Sequence, residues 1–169
     1  MNAAANLTMS GRALEEVYTR IWHTRMRGLP IVNLALRVEL VDLRAWNGCA
    51  VGVIVAPWCM NLVVLPLPGG CDIPAAPIGS VHVVQLPSGS FDLLAAYLPE
   101  IGHHLSGSLY SPMDAFISQE AAVTAARDAM ALMFDVADFP AVPAKPAHPK
   151  PETTGIASRR SFLLGRSKR

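Results

Sequence analysis

Residues 47–71 contain no charged side chain. A run of that length can cross a bilayer, which takes about 20 apolar residues, but its grammar points elsewhere. Pro57 cuts it into 49–56 and 59–65, β-branched residues dominate both halves, and Gly and Pro collect at its ends. That pattern predicts two buried strands joined at a Pro57-Trp58 corner, and no membrane span.

The flanks fit around this pair. Ser10 is a candidate cap for a helix with Glu15 in its first turn and Arg25 and Arg27 in its last, matching the dipole at both ends. Leu14, Val17, Ile21 and Trp22 recur at helical spacing, and Gly28 with Pro30 ends the run. Residues 37–43 alternate polar and apolar, as in a strand covered on one side, and Asn47-Gly48 predicts a tight turn. Residues 69–79 read as an irregular loop. Residues 80–86, 90–98 and 105–110 read as three more strands, the first two joined through a Leu86-Pro87-Ser88-Gly89 turn. Ser118 caps a second helix with Ala122, Val123, Ala126, Ala129, Met130 and Met133 on one face. The predicted fold is therefore α+β: a mostly antiparallel sheet of about five or six strands with two packed helices. From Asp138 prolines recur among Ala and Lys, which predicts an extended, solvated, disordered tail. The division is a single α+β domain over residues 1–137 and a Pro/Lys-rich linker with a basic tail over 138–169.

Charge follows the same division. Residues 1–136 hold seven Arg and no Lys against eleven carboxylates, a net −4, whereas 137–169 hold seven Lys and Arg against two carboxylates, a net +5. An acidic body gives nucleic-acid binding no support. The short polar start at residues 1–9, followed at once by Arg12, Glu15 and Glu16, is unlike an export signal, so the expected location is cytoplasmic. Three cysteines with no Cys-x-x-Cys spacing indicate neither a disulfide framework nor a zinc finger.

Catalytic chemistry finds little footing. Cys59 beside Pro57-Trp58 is a candidate nucleophile or redox residue with His82, His103 or His104 as its partner, but a cysteine in an apolar strand ordinarily packs. His103 and His104 are adjacent on a strand and point to opposite faces, so only one can serve a given site. No Gly-Lys-Ser/Thr follows Gly69-Gly70. The reading is a protein with no catalytic residues, metal or cofactor. Its alternative is a redox or metal-handling accessory protein built on Cys59 and a histidine. For a holding surface, the candidate floor residues are Trp58, Met60, Leu109, Tyr110 and Met113, each of which also suits an ordinary core.

The sharpest motif lies in the tail. Residues 158–164, Ser-Arg-Arg-Ser-Phe-Leu-Leu, resemble the twin-arginine export consensus Ser-Arg-Arg-x-Phe-Leu-Lys and differ at Leu164 alone. At this end of the chain Arg159, Arg160, Phe162 and Leu163 read as an imitation of something the protein binds. Together with Pro57-Trp58, the Leu86-Pro87-Ser88-Gly89 turn and residues 106–113 (Ser-Gly-Ser-Leu-Tyr-Ser-Pro-Met), this motif resembles the nickel–iron hydrogenase assembly chaperones of the HybE type, HoxT/HupJ-like proteins. Some members carry a fused rubredoxin, for which this chain lacks the Cys-x-x-Cys pairs. The resemblance implies a non-catalytic cytoplasmic chaperone. Its expected partner is the small-subunit precursor of an uptake hydrogenase with its twin-arginine signal peptide, joined by the large subunit and other maturation chaperones.

Overall fold

The computed structural model describes residues 3–135. The elements run α1 (Ala3–Ile21), β1 (Glu39–Trp46), β2 (Cys49–Ala56), β3 (Cys59–Leu65), β4 (Val81–Leu86), β5 (Gly89–Leu98), β6 (Gly102–Tyr110) and α2 (Gln119–Phe134). All six strands form one antiparallel sheet in the order β1-β2-β3-β6-β5-β4. Both helices pack over β1 and β2, one on each face.

That placement explains the uncharged stretch. β2 is buried along seven of its eight positions, because Val51, Val53 and Val55 face the α2 side while Ala50 and Ile54 face the α1 side. A strand covered on both faces cannot hold a charge without a large desolvation cost. Two turns set the register. Asn47 and Gly48 both have positive φ, +47° and +80°, as a two-residue type I′ hairpin requires. Pro57-Trp58 makes the next corner, pairing Ala56 with Cys59.

Several expectations shift in detail. α1 begins at Ala3, so Ser10 lies inside the helix and caps nothing. The Ala-rich start propagates helix well, and Leu7 and Leu14 anchor one stripe of it on the sheet. α1 then runs on through a π turn, Trp22–Met26, before Gly28 at φ +91° turns the chain away. β1 starts at Glu39 and reaches Trp46, with a bulge at Asp42 (φ +52°) that shifts its register against β2. Ser118 does cap α2: its side chain accepts from the Ala121 N–H. The small residues Ala122 and Ala126 are fully buried there.

The cysteines need a correction. Cys49 and Cys71 form a disulfide, with Cα atoms 5.2 Å apart across a separation of 22 residues. An odd cysteine count hid the pair, because what brings it together is backbone. The loop after β3 folds back so that the Cys71 N–H donates to the Gly48 carbonyl at 2.8 Å, and Gly48 has no Cβ to meet that nitrogen. Cys59 is left as a buried free thiol.

Candidate functional site

Two irregular connections meet at one end of the sheet. Residues 27–38 link α1 to β1, and residues 111–118 link β6 to α2. Neither has a ladder to satisfy its backbone, so polar groups there need other partners. Asn33 supplies them. Its backbone N–H donates to the Pro57 carbonyl at 2.8 Å. Its Nδ2 donates to the Met113 and Phe116 carbonyls at 2.9 and 2.7 Å, and its Oδ1 accepts from the Ala35 N–H at 3.0 Å. The side-chain amide thus spends both donors and an acceptor tying the two loops together, while the backbone N–H of the same residue fixes them to the corner.

Between those loops lies a groove of about 720 Å³, within the range of known ligand sites, lined by Ile31, Leu34, Pro112, Phe116 and Ile117 with Asp114 among them. Its apolar side chains are open to solvent: Ile117 is 90% exposed and Leu34 78%. Tyr110 stands beside it, edge-on to Phe116 at 5.0 Å. An exposed apolar surface of this kind is a candidate for covering by another molecule.

The floor residues expected from sequence divide between this groove and the interior. Tyr110 is exposed at the groove's margin. Met113 reaches it only through the carbonyl that Asn33 holds, since its side chain is fully buried, as is that of Met60. Leu109 is half-buried against the same core. Trp58 is half-buried in an aromatic stack, between Tyr18 at 5.8 Å and Trp22 at 6.4 Å. Ile31, Leu34, Phe116 and Ile117 were missed by sequence reasoning. Their signal was apolar residues in stretches with neither helical nor strand period. Arg159, Arg160, Phe162 and Leu163 lie outside the described residues.

The cysteine–histidine alternative has a geometry too. Cys59 and His104 line a small cavity of about 210 Å³ with Tyr18, Trp58 and Asn61. Burial pushes the Cys59 thiol up to about 12. Burial also lowers His104, against the opposing pull of the Gly102 carbonyl 3.1 Å from its Nδ1. The pair is therefore held as neutral thiol and neutral imidazole, whereas a reactive cysteine needs its thiolate. His103 points to the other face, where its ring meets Tyr97 at 5.0 Å, and His82 lies 3.1 Å from the Ser80 hydroxyl. No group of three or more metal-ligating side chains forms among the described residues, and no helix among them is long and apolar enough to cross a membrane.

Comparison with known proteins places this architecture. The fold resembles the solution structure of HybE from Escherichia coli, with a TM-score of 0.59 at 22% identity over 94% of this chain and 91% of that one. The hydrogenase expression/formation protein HoxT of Azotobacter vinelandii is 40% identical over 156 residues, covering 92% of this chain and 95% of that protein. The hydrogenase expression/formation protein HupJ of Bradyrhizobium diazoefficiens is 38% identical over 165 residues, covering 97% and 92%. Residues 9–165 match the family described as NiFe-hydrogenase assembly, chaperone, HybE. The chain belongs to the HybE family of nickel–iron hydrogenase assembly chaperones, which are not enzymes.

Proposed function

We propose that the groove between residues 30–35 and 112–117 holds an unfinished hydrogenase polypeptide. The client is the small-subunit precursor of an uptake nickel–iron hydrogenase, bearing its twin-arginine signal peptide, and it is held in the cytoplasm until its cofactors are inserted. The large subunit and other maturation chaperones join the same assembly.

The observation that carries this reading is the open apolar groove itself. A signal peptide has an apolar stretch beside its arginines. Leu34, Ile117, Ile31 and Phe116 supply apolar wall, Tyr110 a rigid aromatic edge, and Asp114 a carboxylate on the rim. The acidic excess of residues 1–136 favours the encounter with arginines. Met60, Leu109 and Met113 pack behind this surface in the core that Phe116 also joins, whereas Trp58 stands apart in the stack with Tyr18 and Trp22.

Ile117→Asp and Leu34→Asp test it, because both side chains are exposed and their replacement leaves the core untouched. Each variant is expected to recover about tenfold less small-subunit precursor on co-purification from cells, with an unchanged melting temperature. Undiminished recovery with both variants would mean that the client sits elsewhere.

A further inference from the structure

The two edges of the sheet are guarded unequally. β1 carries Glu39, Asp42 and Arg44, bends at its bulge, and has its Leu40 N–H taken by the Glu15 carboxylate of α1 at 2.7 Å. These are the usual devices that stop an edge from pairing with another strand. β4 has one such guard, at its end, where Trp46 Nε1 takes the Gln85 carbonyl. It reads Val-His-Val-Val-Gln-Leu, with no proline, no formal charge and an unbroken register against β5.

That register decides which groups are free. The strand partners are Leu86 with Gly89, Val84 with Phe91 and His82 with Leu93. One step further, Ser80 accepts from the Ala95 N–H at 2.9 Å. In an antiparallel pair the hydrogen-bonded positions alternate, so Ser80, His82, Val84 and Leu86 turn their backbone inward to β5. Val81, Val83 and Gln85 turn theirs outward. Among the described residues one of these outward groups is engaged: the Gln85 carbonyl, which accepts from Trp46 Nε1 at 3.1 Å.

The side chains agree with the backbone. Val81 and Val83 are each 62% exposed, on a face that no helix covers at this side of the sheet, and Leu94 lies next to Val81 on the same face. Asp92 lies next to Val83, and it is the only charged residue between positions 73 and 99.

We propose that the outer edge of β4 accepts an extended segment of the client polypeptide as a seventh strand, apolar on the face of Val81 and Val83 and carrying an arginine there. The source of the segment rests on the assembly-chaperone reading above. The N–H and C=O of Val81 and Val83 pair with it whatever its sequence, as in strand addition generally. Its side chains are selected by the surface beside it. An arginine opposite Val83 lays its methylene stem along that valine and brings its guanidinium to Asp92, two strand spacings or about 9.6 Å from its own backbone. A second copy of this chain fits less well. Its β4 has no arginine to offer, and six paired residues fall far short of the roughly 1,200 Å² of a stable interface.

The test uses the full chain and a fluorescein-labelled peptide, Ser-Arg-Arg-Ser-Phe-Leu-Leu-Gly, in which the second Arg, Phe and second Leu share a face when extended. Val83→Lys and Val83→Pro are each expected to weaken binding about tenfold by anisotropy. The proline removes an outward N–H and no bond to β5. Val81→Lys is a further variant, and circular dichroism checks that each one folds. Replacing the second peptide arginine by Gln is expected to cost about threefold with the native protein and nothing with Asp92→Asn. Native affinity in all three β4 variants, no binding to the native protein, or a dimer in sedimentation that Val83→Lys dissolves would each overturn the proposal. Peptide binding lost only with Ile117→Asp would overturn it while leaving the groove reading intact. Precursor recovery that survives Ile117→Asp but not Val83→Lys would do the reverse.

Discussion

Cys59 shows how one buried atom constrains the chemistry around it. Its thiol, ordinarily at 9.0, is pushed up to about 12 by burial. Tyr18 rises from 10.0 to about 12, first through burial and then through the neighbouring Cys59, with Asn61 pulling the other way. Both folded values lie above the unfolded ones, so the stability they contribute is whole below pH 9 and is lost as pH climbs from 9 to 12. In Cys59→Ala that loss is expected to begin nearer pH 10, where Tyr18 takes over, as urea melts across the alkaline range would show. The same variant should recover precursor as well as the native chain does. An alkaline onset that does not move would mean that Cys59 is not the buried acid. His104 carries the opposite sign. Its lowered value makes its contribution fade on acidification, as the unfolded imidazole takes up its proton first.

At the scale of elements, the groove depends on a brace. Asn33→Ala strips the carbonyls of Met113 and Phe116 of their donor, and it is expected to destabilise the fold by about 2 kcal/mol. Hydrogen exchange should locate the effect, with residues 112–117 opening faster while β2 and β3 stay protected. Uniform loosening of the whole sheet would contradict the brace. The elements themselves were largely legible. The uncharged stretch became β2 and β3, the Asn47-Gly48 turn fell where its φ angles demand it, and Ser118 caps α2. Helix propensity at 3–9 was underread beside the stronger-looking Ser10 cap. The groove was hidden for a different reason. Ile31 and Leu34 meet Pro112 and Ile117 only through Asn33 bonds that span about 80 positions, and no local periodicity encodes such a meeting. Met60 and Met113 read as floor because sulfur-bearing side chains suit adaptable surfaces and cores equally. The disulfide was concealed by counting, since pairing two of three cysteines is a property of the returning loop and not of spacing.

For the whole molecule, sequence assigns the acidic and the basic parts to different stretches of chain. We propose further that the twin-arginine imitation at Arg159, Arg160, Phe162 and Leu163, which lies outside the described residues, competes with the client's own signal. A flexible tether of about 20 residues would present its end at an effective concentration on the order of 1 mM. A tail with a dissociation constant of about 100 μM would then weaken the client roughly tenfold. Deleting residues 157–169 is therefore expected to tighten a signal peptide by about that factor in anisotropy titrations; unchanged or weaker affinity would rule out self-competition. The body also carries its own gauge for such experiments. Trp22 and Trp58 are stacked at 6.4 Å and 17°, whereas Trp46 lies at the other end of β2, paired with Cys49, bonded to Gln85 and edge-on to Phe134. Indoles that close couple their transitions, so Trp22→Phe or Trp58→Phe is expected to remove an exciton contribution to the ultraviolet circular dichroism that Trp46→Phe leaves in place. Motion of the helix against the corner can thus be watched as an optical signal, in the same cuvette and without a label.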